Sequence, residues 1–546
     1  MTTTPNELPD DLATAQELIR ELAKTVHAQE HLIAKLQHQL EQLLRQRYGR
    51  KSEKLDPAQL LLFAREILTA LGTEPAATQP AAAESTAAES APPEQPAEPA
   101  SNPTKKNGHG RKPLPASLPR RPVLHDVKPE QLPCPDCGGV RTKIGEEVRE
   151  QLEYVPASLI VLRHVRPKYA CKACEGNVVV AERLPEPIEK GLPGPGLLAQ
   201  VIVSKYADHL PLYRQERIFA RQGVELSRQT TCDWMAVCAE LLEPIWRAMH
   251  RRILQSRVIQ TDDTPVKVQD PNTGAMPTGR IWTYLGDRDH RFIVYDYTPD
   301  RSSEGPEWML KDFRSGFLQS DAYSAYDRLH TRGIVEVGCM AHARRKFDEA
   351  KTTDPERAHA ALAWIGRLYQ IERQAREEIE EAIERLAKER SVDAAERALQ
   401  EQRLAEEITL KLRQEDARPI VEKFATWLEM MAKEVLPKSP MGEAVGYARS
   451  NWRALTRYLD AGFLAIDNNA AERALRPIAV GRKNWLHLGS DKGGRTAAVL
   501  MSLVQSCQAL KIEPFAYLRD VLDRVSTHPA SQIADLLPDA WKPAQP

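Results

Sequence analysis

From Leu12 the apolar positions fall into a seven-residue repeat, with Leu12, Ile19, Val26, Ile33 and Leu40 at one core position and Ala15, Leu22, Gln29, Leu36 and Leu43 at the other. A narrow apolar seam of that period specifies a coiled coil, and a polar seam residue such as Gln29 helps to fix its register. The expected element spans residues 1–55, and its expected consequence is a homodimer; an amphipathic helix folded onto its own domain is the competing reading. A short helix is expected over 56–72. Beyond it the periodicity disappears. Residues 73–122 are rich in Ala, Pro and Glu and have too few large apolar groups to offset the entropy of ordering, which predicts a linker.

Alternation of period two from Glu150 to Tyr169 predicts a β-hairpin within a domain at 123–190. Residues 191–254 read as helical: Pro211 suits a first turn, Gly223 a helix end, and Ser227 an N-cap ahead of Arg228 and Gln229. Two helices joined this way fit a helix-turn-helix that presents Arg228 to DNA, and they fit equally a helical collar on the domain that comes next. Residues 255–352 then alternate as strands: Arg257 to Val268, Arg280 to Leu285, Arg291 to Tyr297, Gly316 to Asp321 and Ile334 to Val337, with a helix near Pro306 to Phe313. Three hairpin-like strands followed by alternating helices and strands is the order of an RNase H-like core. Densely charged helical sequence over 353–440 predicts an α-helical insertion, and 441–510 the second part of the core. There a helix places Asn469, Glu472 and Arg476 on one face, and Pro477 is expected to close it. A helical cap over 511–546 completes a multidomain α/β chain.

Length and charge narrow the class. A chain of 546 residues exceeds one core, and 42% hydrophobic residues suffice to bury several. No apolar run approaches the roughly 18–20 residues of a membrane span, and the polar stretch from Thr2 to Asp11 lacks a signal-peptide core, so a cytoplasmic address without membrane association is expected. The formal net charge of -1 gives no global basic field, so nucleic-acid binding must come from local patches. One is the acid-free arm from Lys105 that contains Arg111 and Lys112, with Arg120 and Arg121 beyond it. Another follows Glu472, where Arg473, Arg476, Arg482, Lys483, Lys492 and Arg495 interleave with glycines and Trp485. Glycines let phosphate approach the backbone, and an aromatic ring can stack on an unpaired base. Arg344 and Arg345 form a third basic pair, on an expected helix.

The cysteines divide into two kinds. Cys134 and Cys137, and Cys171 and Cys174, form two Cys-x-x-Cys knuckles, the pattern of a structural zinc ion held by four thiolates in a zinc-ribbon-like domain. Cys232, Cys238 and Cys507 lie in apolar helical surroundings and read as buried core residues. Cys339 and His342 supply too few ligands for a zinc shell, which points to packing or support of a site.

Three carboxylates carry the chemistry. Asp262 or Asp263 near the end of one strand, Asp321 at the end of another, and Glu472 on the later helix suit two Mg²⁺ ions, because small hard cations take carboxylate oxygens and retain water. Alternation does not choose between Asp262 and Asp263, since either can face the metals. Taken singly, each carboxylate is equally well a cap or a turn residue.

Longer words lift the set above that level. Thr261-Asp-Asp-Thr-Pro-Val-Lys-Val, Gln319-Ser-Asp-Ala-Tyr-Ser-Ala-Tyr, Gly338-Cys-Met-Ala-His-Ala-Arg-Arg-Lys-Phe, Asp467-Asn-Asn-Ala-Ala-Glu-Arg and Gly481-Arg-Lys-Asn-Trp-Leu-His-Leu-Gly-Ser occur in the order in which the IS66 (IS-sixty-six) family of bacterial insertion-sequence transposases carries them. The chain resembles that family over nearly its whole length. The resemblance implies an RNase H-like core split by a helical insertion and preceded by a zinc-finger-like domain. It also implies Asp262, Asp321 and Glu472 as the metal-binding catalytic triad, although the family usually has glutamate where this chain has Asp263. The implied activity is that of a DDE-type polynucleotidyl transferase. Water first opens a phosphodiester at the element end, and the freed 3′-hydroxyl then attacks target DNA. The implied partners are double-stranded element ends and target DNA, a second copy of the chain, and accessory proteins of the same element; the implied place of action is the nucleoid. A non-catalytic regulator derived from a transposase and an RNase H-like nuclease are the rival classes.

Overall fold

The computed structural model describes residues 159–164, 168–169, 179–180, 185–189, 191–270, 272–388 and 393–543. The expected coiled coil, the helix over 56–72, the linker with Arg111 and Lys112, and the knuckles Cys134, Cys137, Cys171 and Cys174 lie outside the described residues. Residues 159–164 belong to one compact unit, and all the other described residues belong to a second. Within the second unit, two short antiparallel segments, Lys168–Tyr169 and Val179–Val180, pair across the stretch of sequence that holds the second knuckle.

The sheet contains β1 (Val258–Lys267), β2 (Thr278–Leu285), β3 (Ile293–Thr298), β4 (Gly316–Gln319) and β5 (Ile334–Val337), in the order β3-β2-β1-β4-β5. β1, β2 and β3 form an antiparallel meander, whereas β4 and β5 run parallel to β1. All five strands fall on the β-branched and aromatic runs that predicted them. β1 is ten residues long, but its parallel partner reaches only Val258 to Gln260. The two aspartates therefore sit mid-strand and just past the end of the parallel ladder.

Helices sandwich this sheet. α1 (Pro195–Tyr206) and α2 (Leu212–Arg221) lead into α3 (Arg228–Ile253), a 26-residue helix capped by the Ser227 hydroxyl. α3 buries Trp234, Met235, Cys238, Leu242, Ile245 and Met249 in the same core as the strands. α3 thus packs as part of the core, with Arg228 exposed at its start. Pro211 is the residue before α2 rather than inside its first turn. Cys238 and Cys507 are buried as expected, but Cys232 is exposed, because it lies on the outward side of the first turns of α3.

α4 (Glu304–Met309) precedes β4, and α5 (Met340–Ala350) follows β5. The insertion comprises α6 (Pro355–Lys388), α7 (Ala394–Leu412), a π-turn at Arg413–Ala417 and α8 (Arg418–Glu434), and α9 (Pro440–Ser450) follows it. It is more than a solvated hairpin: Leu362, Ile365, Leu368, Phe424, Trp427 and Val445 form a second apolar core, which also takes in Phe347 of α5. At the π-turn the Arg413 side chain is almost fully buried, at 3% exposure. Its guanidinium grips both oxygens of Glu372 (2.7 and 2.8 Å) and donates to the carbonyls of Tyr458 and Ala461 (2.8 and 2.7 Å).

α10 (Asn469–Trp485) and α11 (Asp491–Ala509) return the chain to the sheet, and α12 (Pro514–Arg524) closes it. Pro477 does not end α10; it lies inside the helix. The missing amide costs one bond, and burial of Ile478 and Gly481 on the sheet side carries the helix on to Trp485. α11 lies along β3. Ser502 Oγ accepts from Tyr295 N–H (2.8 Å), Ser506 Oγ accepts from Ile293 N–H (3.0 Å) and donates to its carbonyl (3.1 Å), and Trp246 of α3 donates to the Tyr295 carbonyl (3.1 Å). Among the described residues no helix is long and apolar enough to cross a membrane.

Candidate active site

The parallel register Gln260↔Gln319 fixes the first two carboxylates. Two residues beyond that pair come Asp262, midway along β1, and Asp321, just past the end of β4, side by side where the parallel ladder stops. Asp262 shares a cross-strand row with Thr283 and Tyr295, and the Tyr295 hydroxyl donates to the Ala474 carbonyl (2.6 Å), so α10 packs over the face that Asp262 points to. Asp263 points to the opposite face. There it is neutralised by Arg280 (3.0 Å) and Arg301 (2.7 Å), with its side chain only 2% exposed. Asp263 is thus already engaged by two cations.

Electrostatics agree with that geometry. Burial pushes the Asp262 carboxyl up to about 7; the Asp263 amide opposes the shift, while the charges of Asp321 and Glu472 add to it. Asp321 is raised as well, first by burial, against the pull of His342 and Arg301. Glu472, in the first turn of α10, lies 3.6 Å from His342 Nε2 and 3.7 Å from an Arg345 nitrogen. Its Oε1 is buried without a hydrogen-bond partner, as is His342 Nδ1. Burial and the Arg345 charge hold His342 below its usual range, which favours the neutral imidazole. Converging acidic side chains, Asp262 and Asp321 raised by burial and by neighbouring carboxylates and Glu472 with an orphaned buried oxygen, fit a divalent cation with hard oxygen preference. A second grouping overlaps it: the ligand atoms of Cys339, His342 and Glu472 all lie within 4.8 Å of one another.

The loop before α10 is tied to the strands on either side of it. Gln319 Nε2, at the end of β4, donates to the Ala465 carbonyl (2.6 Å), and the Met340 amide donates to the Ile466 carbonyl (3.1 Å). Asp467 accepts from Tyr369 of the insertion (2.9 Å) and from the Asn469 side chain (2.7 Å). Asn468 is fully buried; its side-chain amide donates to the Thr261 carbonyl (2.9 Å) and its backbone amide to Cys339 Sγ (3.2 Å). One residue, through its side chain and its backbone amide, therefore joins the strand of Asp262, the start of α5 and the helix of Glu472. Asn468→Ala is expected to lower stability by about 1–3 kcal/mol in urea unfolding, because the Thr261 carbonyl loses its partner in the interior.

The cations singled out in the sequence divide by position. Arg473, Arg476 and Lys483 are exposed along α10, and Arg495 is exposed near the start of α11. Arg344 and Arg345 are half-buried on α5, Arg345 beside Glu472. Arg482 turns back to the Thr264 hydroxyl (3.0 Å) and the Pro265 carbonyl (2.8 Å), and Lys492 pairs with Glu240 (3.0 Å). Trp485 folds over its own helix: a Cβ at Gly481 would come within 2.6 Å of the indole nitrogen. Neither Arg301 nor Asn468 carries a local signal in the sequence that marks it for this site. His342 is visible there as half of a Cys-x-x-His pair, but its place between Asp321 and Glu472 is not.

Comparison with known proteins places this chain among the transposases. Residues 190–496 match the family described as Transposase IS66 family, and the chain belongs to it. Residues 132–175 match the zinc-finger binding domain of transposase IS66, which supports a structural zinc. Residues 35–123 match "Transposase C of IS166 homeodomain", and residues 502–538 match the IS66 C-terminal element. Similar chains from Sinorhizobium fredii include the uncharacterized protein y4jD, 32% identical over 79% of this chain and 82% of its own length, and the uncharacterized protein y4qI, 33% identical over 80% and 79%.

Proposed function

We propose that the chain is a DDE-type DNA transposase that cleaves the ends of an insertion sequence and joins their 3′-hydroxyls to target DNA. The observation that carries this reading is the meeting of Asp262 and Asp321, from adjacent parallel strands, with Glu472, from a helix laid over the same face. The strand order β3-β2-β1-β4-β5 supports an RNase H-like core. Asp262, Asp321 and Glu472 would hold two magnesium ions. Bound there, magnesium neutralises charge on the scissile phosphate and lowers the pKa of the attacking water.

The chain's own residues set the rest. Asp263 anchors Arg280 and Arg301 on the reverse face, which fixes the strand that presents Asp262. His342 and Arg345 hold Glu472 from the α5 side. Arg476 and Lys483, exposed on the helix of Glu472, lie where a phosphate backbone would run. Water hydrolyses the phosphodiester at the element end; the freed 3′-hydroxyl then displaces a phosphodiester oxygen of target DNA, with no covalent protein intermediate. Cys134, Cys137, Cys171 and Cys174 would hold zinc in a DNA-binding domain, and the amino-terminal heptads would pair two chains so that both ends are processed together.

The test is strand transfer in Mg²⁺ with labelled duplexes from the DNA flanking the coding sequence and Glu472→Gln as control. Joined products from the parent and none from the variant are expected. Cleavage without joining would instead indicate a nuclease, and tight binding unaffected by Glu472→Gln would indicate a regulator.

A further inference from the structure

The helix that carries Glu472 ends on an unusual residue. Leu486 has φ 64° and ψ -50°, the centre of a γ-turn closed by a hydrogen bond from His487 N–H to the Trp485 carbonyl (2.7 Å). That conformation is rare and strained for a residue with a side chain. It is held from both sides. Leu486 N–H bonds the Arg482 carbonyl (2.9 Å), and Leu488 is locked to β1 through the Lys267 carbonyl (2.8 Å) and the Gln269 amide (2.8 Å).

The strain does nothing for packing, because the Leu486 side chain is 68% exposed. Glycine would adopt the turn without penalty, and a polar residue would be better solvated. The surroundings show what the leucine faces. Arg473, Arg476, Val480 and Lys483 follow one another at spacings of three and four along the exposed side of α10, and Leu486 continues that ridge. Cations suited to phosphate thus lead from the residue beside Glu472 to a rigidly presented apolar tip. Apolar side chains flanked by cations are what proteins drive between base steps.

We infer that Leu486 is a wedge that enters the base stack of DNA lying along α10 and unpairs it near the reacting phosphodiester. This rests on the transposase reading and adds a base-contacting residue to it. At 1.5 Å per helical residue the tip lies about 21 Å from Glu472, or about six nucleotides of 3.4 Å each.

The experiment uses the full chain and flanking-DNA duplexes carrying 2-aminopurine at successive positions. With Glu472→Gln holding the DNA uncleaved, emission should rise on binding at a position about six base pairs from the cut, and adding Leu486→Gly should abolish the rise while affinity changes less than about threefold. In cleavage, Leu486→Gly should lose at least about tenfold on paired duplex and regain most of it on duplex mismatched at that position, whereas Leu486→Met should behave as the parent. The glycine variant should also melt at a higher temperature, a result that a supporting role in the fold would reverse. Equal losses on paired and mismatched DNA, or emission unaffected by Leu486→Gly, would overturn the wedge while leaving the transposase reading intact. A parent that neither binds nor cleaves flanking DNA would overturn both.

Discussion

Asp262→Asn is expected to abolish strand transfer, with a loss on the order of 10³-fold or more, while making the metal-free protein more stable at neutral pH. The first half follows from removing a carboxylate oxygen from the proposed two-cation site, where such a site contributes several kcal/mol to the transition state, at about 1.4 kcal/mol per tenfold in rate. The second half follows from the raised carboxyl, which titrates near 7 in the folded chain against an ordinary value of 3.8. A folded state that keeps a proton the unfolded chain has released gains stability, fully present below about pH 4 and lost as the pH rises through about 7. Thermal melting in chelator should therefore show the parent weakening between those limits and the Asn variant weakening less, since Asp321 and Asp296, both raised by burial, still titrate in it. Above about pH 7 the variant should melt higher than the parent, and Mg²⁺ should stabilise the parent and leave the variant nearly unmoved. A parent whose chelated melting temperature is flat from pH 4 to 8 would show that Asp262 does not sit among competing charges.

The largest effect on folding is expected at Arg413. Arg413→Ala leaves Glu372 charged and mostly buried, strips the Tyr458 carbonyl of its Arg413 donor and leaves the Ala461 carbonyl with the Leu464 amide (3.3 Å), so urea unfolding should register a loss of about 3–5 kcal/mol. The combined Arg413→Met and Glu372→Met variant should recover part of that loss, because apolar side chains of similar volume often replace a buried ion pair at little cost. What remains unrecovered belongs mainly to the Tyr458 carbonyl, at about 1–3 kcal/mol for a buried group that loses its donor. The damage should spread to the insertion. Arg413 sits at the π-turn between α7 and α8 and ties both to the segment that precedes the Glu472 loop.

The sheet is legible in the sequence because each of its strands is a run of β-branched and aromatic residues bounded by turns, a signal that survives without tertiary knowledge. The three carboxylates are legible mainly as members of long words rather than as local chemistry. The hidden features depend on distant partners. A period-two pattern does not say which of Asp262 and Asp263 faces the site; Arg280 and Arg301, 17 and 38 residues away, set them apart by pairing with Asp263. Asn468 is one of two consecutive asparagines until its amide is seen on Thr261, 207 residues earlier. Pro477 misleads for the converse reason: a local rule about proline is overruled by burial of the residues after it. Trp485 looks like a stacking platform by composition, yet the ring folds back over Gly481 and leaves Leu486 outermost.

The hydroxyls of Ser502 and Ser506 and the indole of Trp246 occupy the outward amides and carbonyls of Ile293 and Tyr295. Along these two residues that margin of the sheet has its outward backbone groups already taken. Two copies held side by side on DNA would therefore not zip together through this margin into a continuous sheet. If two copies meet on DNA as proposed, side chains that play no part in the chemistry keep them from pairing there.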